Sequence, residues 1–170
     1  MNSNFETCLA NVLKSEGGFV NNPADPGGMT NLGCTKAVWE AFVGHPVSEA
    51  DMRALTPDDV APLYKRKYWD QVSGDDLPDG LDYAVFDVAI NSGPGRAAKW
   101  LQEVVGVTAD GSIGKGTLAA VAAHDVNELI AAYGAKRLAF LQSLPTFGTF
   151  GKGWTTRVAS VQATSLEMVA

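Results

Sequence analysis

The sequence predicts an α-class protein, and three observations carry that prediction. Apolar residues recur at helical spacing in almost every segment, polar or proline-bearing caps stand where those segments begin, and strand-like patterning is confined to one glycine-rich stretch, residues 18–35. Ser3 and Glu6 form an S-x-x-E capping box before Phe5, Cys8, Leu9, Val12 and Leu13, which share one helix face. A second helix is expected from Thr35 through Val38, Trp39, Phe42 and Val43, and a short one after Ser48. Thr56-Pro57-Asp58-Asp59 supplies a cap, a proline at the first helical position and two early acids, so helix follows through Tyr64 to Tyr68, kinked by Pro62.

Leu81 opens a buried helix that Gly93 and Pro94 close, and another runs through Trp100, Leu101, Val104 and Val105 to Gly106. The turn-rich GVTADGSIG follows. Asp125 and Glu128 then cap a long helix carrying Leu129, Ile130, Tyr133, Leu138 and Leu141, and a last helix is expected from about Gly153 towards Met168. Residues 18–35 read as an irregular loop or a short β-ribbon.

A chain of 170 residues is long enough for one sizeable core. Hydrophobic residues at 46% and charged residues at 19% place it among ordinary globular proteins and exclude intrinsic disorder. A net charge of −6 argues against nucleic acid or an anionic membrane as partner, since such binders carry a basic stripe. The N-terminus lacks the pattern of a secretory signal and no apolar run is long enough to span a bilayer, so the expectation is synthesis in the cytoplasm as a soluble, monomeric protein. Two cysteines and two histidines offer no disulfide framework and little material for a metal site, and no cofactor is expected. Cys34 is a candidate nucleophile only if a histidine accompanies it; an isolated cysteine otherwise packs as a small hydrophobe.

The stretch KSEGGFVNNPADPGGMTN, residues 14–31, carries the chemistry. Glu16 lies eleven positions after Phe5, on the same helical face as the apolar stripe, and at the helix end where unpaired carbonyls disfavour a carboxylate. Both features favour a carboxyl that keeps its proton, which a general acid requires. Asp25 follows in P-A-D-P-G-G, a backbone stiffened by proline, and Thr30 adds a hydroxyl able to orient water. Two carboxyl groups across a gap are the equipment of glycoside hydrolysis, one protonating the leaving oxygen and the other stabilising a cationic sugar or activating water. The same residues also fit an inert helix end with a glycine cap and an Asx turn, and periodicity alone leaves both readings open. The glycine pair 27–28 lacks the Gly-Lys-Ser/Thr continuation of a phosphate-binding loop.

EGGFVNNPADPGGMTNLG closely resembles the signature of glycoside hydrolase family 108, the phage-endolysin-type N-acetylmuramidases and related bacterial enzymes. Leu63–Arg66 with Tyr68-Trp69-Asp70, and FDVAINSGPG at residues 86–95, resemble further landmarks of that family. The resemblance implies a lysozyme-like fold, cleavage of the β-1,4 bond between N-acetylmuramic acid and N-acetylglucosamine in peptidoglycan, and Glu16 as catalytic acid. Asp25 and Thr30 carry over through the spacing E-x8-D-x4-T, with Thr30 one residue early against the phage lysozyme pattern. Residues 1–80 would then form the muramidase region, and 81–170 a helical region resembling the family's predicted peptidoglycan-binding section, packed into the same globular unit. Its loop within residues 100–121 is read as a structural turn, with Lys115 where a proline is common.

Three further residues are candidate substrate ligands. Asn91 ends a buried helix, where its amide serves as a cap or binds an acetamido group; the resemblance favours the cleft. Tyr68 is expected exposed for stacking on a sugar, with neighbouring Trp69 packed. Asp87, one turn before Asn91, shares its face and would hold Asn91 or tune Glu16. Two rival readings are a catalytically silent wall-binding module and, through Cys34, a thiol-dependent wall peptidase or amidase. Action on the wall would follow release from the cytoplasm, through a pore made by a partner in the case of phage lysis or through a dedicated exit in a secretion-linked role.

Overall fold

In the computed structural model, which describes residues 4–24 and 28–170, the chain is mainly helical and divides into two units, Phe5–Lys67 and Tyr68–Ala170 together with Asn4. The division falls at Lys67–Tyr68, whereas the boundary drawn from the sequence lies at residue 80.

The first unit begins with α1 (Phe5–Ser15), whose buried face is Phe5, Cys8, Leu9 and Val12. This is the stripe read from the spacing; Ser3 of the expected capping box lies outside the described residues. A three-stranded antiparallel ribbon follows, with β1 (Val20–Asn21), β2 (Met29–Asn31) and β3 (Cys34–Thr35) in that order. Its register pairs Val20 with Thr30, and Thr30 in turn with Thr35. Thr35 caps α2 (Lys36–Val43) by accepting from the Val38 N–H at 3.2 Å, and Gly44 ends it in the left-handed region at φ 81°. The helices α3 (Glu49–Arg53) and α4 (Pro57–Tyr64) each start with a reciprocal capping box, Ser48 with Asp51 and Thr56 with Asp59. Pro62 sits exposed within α4, which persists to Tyr64 before widening into a π-helical turn, Lys65–Trp69.

The second unit is built around α5 (Leu81–Ser92), buried from Leu81 to Ala89 and packed against α6 (Pro94–Val105), α8 (Val126–Gln142) and α9 (Phe147–Val169). Trp69 is fully buried and meets the Phe86 ring edge-on at 5.2 Å, while its indole N–H donates to Asp75 Oδ1 at 2.9 Å. Gly80 takes φ 85°, and a β-carbon there would run into the carbonyl of Ser165 on α9, so both backbone angle and close approach require glycine. The loop before α7 (Lys115–Ala122) is organised by Gln102. Its amide donates to Asp110 Oδ1, the Ser112 carbonyl and Thr117 Oγ and accepts from the Gly111 N–H, so the polar turn is knitted from beneath.

One helix start differs from expectation. The last helix begins at Phe147, not near Gly153, and runs through Gly148, Gly151 and Gly153. Three glycines weaken a helix locally, but Gly151 lets the Phe147 ring lie where a β-carbon would stand 2.7 Å from it, and packing along α8 outweighs the propensity.

Candidate active site

Glu16 follows α1 directly, its N–H donating to the Val12 carbonyl at 3.3 Å, and its side chain is half-buried. The helix thus delivers the carboxyl to the end of an otherwise apolar face. Opposite it stands the tip of the β2–β3 hairpin. A two-residue connection, Leu32-Gly33, turns the chain with both residues in the left-handed region, at φ 51° and 73°. Glycine tolerates this conformation and leucine does not do so readily. A β-carbon on Gly33 would stand 2.6 Å from the Tyr64 hydroxyl and 2.9 Å from Glu16 Oε2, so the bare glycine is what admits the carboxylate. Tyr64, buried at the end of α4, donates its hydroxyl to the Leu32 carbonyl at 2.7 Å and fastens the strained turn.

The rest of the ribbon is anchored from below. Asn31, 5% exposed, donates to the Met52 carbonyl of α3 at 2.8 Å. Thr30, its neighbour on an extended strand, therefore points to the other face, half-buried in the central strand. Phe19, the aromatic of the EGGF run, lies under the Arg53 guanidinium at 4.0 Å. In the loop beyond, the Asn22 side chain accepts from the Ala24 N–H at 3.0 Å, an Asx turn leading towards Asp25. Asp25 itself lies outside the described residues.

Cys34 is buried at 3% exposure, donates weakly to the Thr35 carbonyl, and its thiol is pushed up by burial, with Lys67 acting in the opposite sense. Burial favours the unreactive thiol form.

In the second unit, Asp87 is 1% exposed and accepts from Arg137 Nη1 at 2.6 Å and Arg157 Nη2 at 2.7 Å, tying α5 to α8 and α9. Asn91, exposed at the end of α5, donates back to the Asp87 backbone carbonyl at 3.2 Å, while the Asp87 side chain, expected to hold Asn91 or tune Glu16, holds Arg137 and Arg157. Tyr68 is half-buried. Glu16 and Thr30 belong to the first unit, Tyr68, Asp87 and Asn91 to the second. Gly33 and Tyr64 lie within the stretches that carry the family resemblance, but the residues alone assigned neither a place at the site. Leu-Gly is a weaker hairpin signal than Asn-Gly, and Tyr64 meets the turn only through the fold.

Residues 9–93 match the glycosyl hydrolase 108 family model, and residues 96–159 match a model described as a predicted peptidoglycan domain. The class is therefore a glycoside hydrolase with a peptidoglycan-directed section. The chain belongs to the glycosyl hydrolase 108 family. The solved structure of Brucella abortus SagA is similar over 97% of this chain and 95% of its own, at 48% identity and a TM-score of 0.84. No curated protein matches. Among the described residues no helix is long and apolar enough to cross a membrane.

Proposed function

We propose that the protein is an N-acetylmuramidase that hydrolyses the β-1,4 bond between N-acetylmuramic acid and N-acetylglucosamine, with Glu16 as general acid. The observation that carries this reading is the seat of Glu16: a carboxyl at the end of an apolar helix face, set against a hairpin tip where Gly33 takes a left-handed φ and leaves room that a β-carbon would fill. Strain held in place by neighbouring structure is characteristic of functional sites. Glu16 donates its proton to the glycosidic oxygen as the bond breaks. Asp25 stabilises the developing oxocarbenium ion or, with Thr30, positions the attacking water. Tyr68 and Asn91 contact the glycan, and Asp87 acts through the residues it holds.

The substrate lies outside the cytoplasmic membrane, so the catalyst must reach it, and a pore-forming partner is one route. A thiol-dependent peptidase is disfavoured by the burial of Cys34. A silent wall-binding module would retain affinity without turnover.

Glu16→Gln tests the reading. Glutamine keeps size and hydrogen bonding but has no proton to give, a step worth roughly 10²- to 10⁴-fold in rate. The expected result is a folded protein, by circular dichroism and melting, that binds peptidoglycan and releases reducing ends at least about a hundredfold more slowly. A folded variant cleaving at the wild-type rate would remove Glu16 from the role of acid; new amino groups in place of reducing ends would indicate a peptidase.

A further inference from the structure

The second unit contains a cleft of about 410 Å³ whose lining includes Arg96, Arg137 and Arg157, the rings of Phe140 and Trp154, and the exposed amide of Asn91. Among the described residues no acidic side chain lines it, although the protein as a whole carries a net charge of −6. Asp87, beneath the cleft arginines, is 1% exposed and is engaged in orienting Arg137 and Arg157. Arg96 stands exposed at the opening of α6, its guanidinium over the Phe140 ring at 4.5 Å. Resting on an aromatic face leaves the edge donors of the planar guanidinium available to a flat, two-oxygen acceptor. Asn91 and Ser92, the last residues of α5, line the cleft on the side next to Arg96. Arginines of this disposition and aromatic walls together select a carboxylate on a partly apolar chain.

We propose that this cleft is a binding subsite for a free carboxylate of the short peptide stems carried by peptidoglycan strands, with Arg96 as the recognition residue and Phe140 and Trp154 packing on the stem. The proposal rests on the peptidoglycan reading above and gives the section matched by the peptidoglycan-domain model a defined ligand chemistry. It also assigns Asn91 to the same cleft, where its amide meets the peptide or the adjoining acetamido group.

The test is a calorimetric titration of the full chain bearing Glu16→Gln, so that ligand is not consumed. The ligands are a disaccharide-tetrapeptide, the same molecule with its peptide carboxylates amidated, the disaccharide with a bare lactyl group, and neutral chitotetraose. Adding Arg96→Gln is expected to weaken disaccharide-tetrapeptide binding about tenfold and to leave chitotetraose unchanged. Amidation should weaken binding to the parent chain by a similar factor and add nothing to the loss caused by Arg96→Gln. Arg96→Lys, which keeps the charge but loses the fork, should fall between the two. Unchanged tetrapeptide affinity, or an equal loss for chitotetraose, overturns the proposal. An Arg96 dependence equally strong for the bare disaccharide assigns the site to the lactyl carboxylate and overturns the stem. Reducing-end release by the wild-type protein is scored separately, so a failure of the muramidase reading remains distinguishable from loss of Arg96-dependent peptide binding.

Discussion

The Glu16 carboxylate packs against the bare α-carbon of Gly33, so closely that a β-carbon there would lie 2.9 Å from Oε2. Position 33 also has φ 73°, a conformation side chains disfavour. Gly33→Ala therefore combines backbone strain of roughly 1 kcal/mol with displacement of the carboxyl. The expected outcome is a modest drop in melting temperature together with a loss of at least about tenfold in reducing-end release, since small misplacements of a catalytic group are costly. Wild-type turnover by the alanine variant would show that the contact does not set the position of Glu16.

Tyr64→Phe isolates the hydroxyl that fastens Leu32. The ring stays packed, while the 2.7 Å bond to the Leu32 carbonyl is lost. A destabilisation of about 1 kcal/mol is expected by denaturant titration. Because the turn it releases bears on Glu16, kcat should fall with KM little changed. A fall in stability with full activity would reduce Tyr64 to a packing residue.

Asp82 predicts an acid-side dependence of stability. It is 2% exposed, accepts from the Gly80 and Tyr83 N–H groups and from Asn4, and burial nevertheless pushes its carboxyl up to about 6. The unfolded chain holds the same proton only below about 3.9. Its contribution is thus fully present below about pH 4 and is lost as the pH rises through about 6. Relative to wild type, Asp82→Asn should gain a few degrees in melting temperature between pH 4 and 7. A difference that stays constant across that range would refute the assignment.

Asp87→Asn should be far more damaging. It leaves Arg137, itself 6% exposed, and Arg157 facing a neutral amide, and removing one partner of a buried ion pair typically costs about 3–5 kcal/mol. Cooperative unfolding at much lower urea is the expected readout. Combining Asp87→Asn with Arg137→Met should recover part of the loss, because no buried charge is then orphaned at that position. Strict additivity of the two changes would contradict the pairing.

How much of this was legible in the residues depends on the reach of each interaction. The caps at Thr35, Ser48, Thr56 and Asp125 are contacts across three positions, so the residues themselves announce them. The apolar stripe of α1 and the place of Glu16 at its end follow from helical periodicity in the same way. The ribbon within residues 18–35 was marked by its glycines and prolines. By contrast, the glycines near residue 150 argue locally against helix, and only packing along α8 carries α9 back to Phe147. Periodicity set Asp87 one turn from Asn91, yet its partners Arg137 and Arg157 stand 50 and 70 residues away in the chain. Tyr64 reaches the Leu32 carbonyl across 32 residues, and the space beside Gly33 exists only once α1, the hairpin and α4 have come together. Local chemistry determined which helices form and which acid ends the first of them. Tertiary packing decided what that acid touches and where the arginines gather, because burial and approach between distant segments leave no period or spacing in the chain to read.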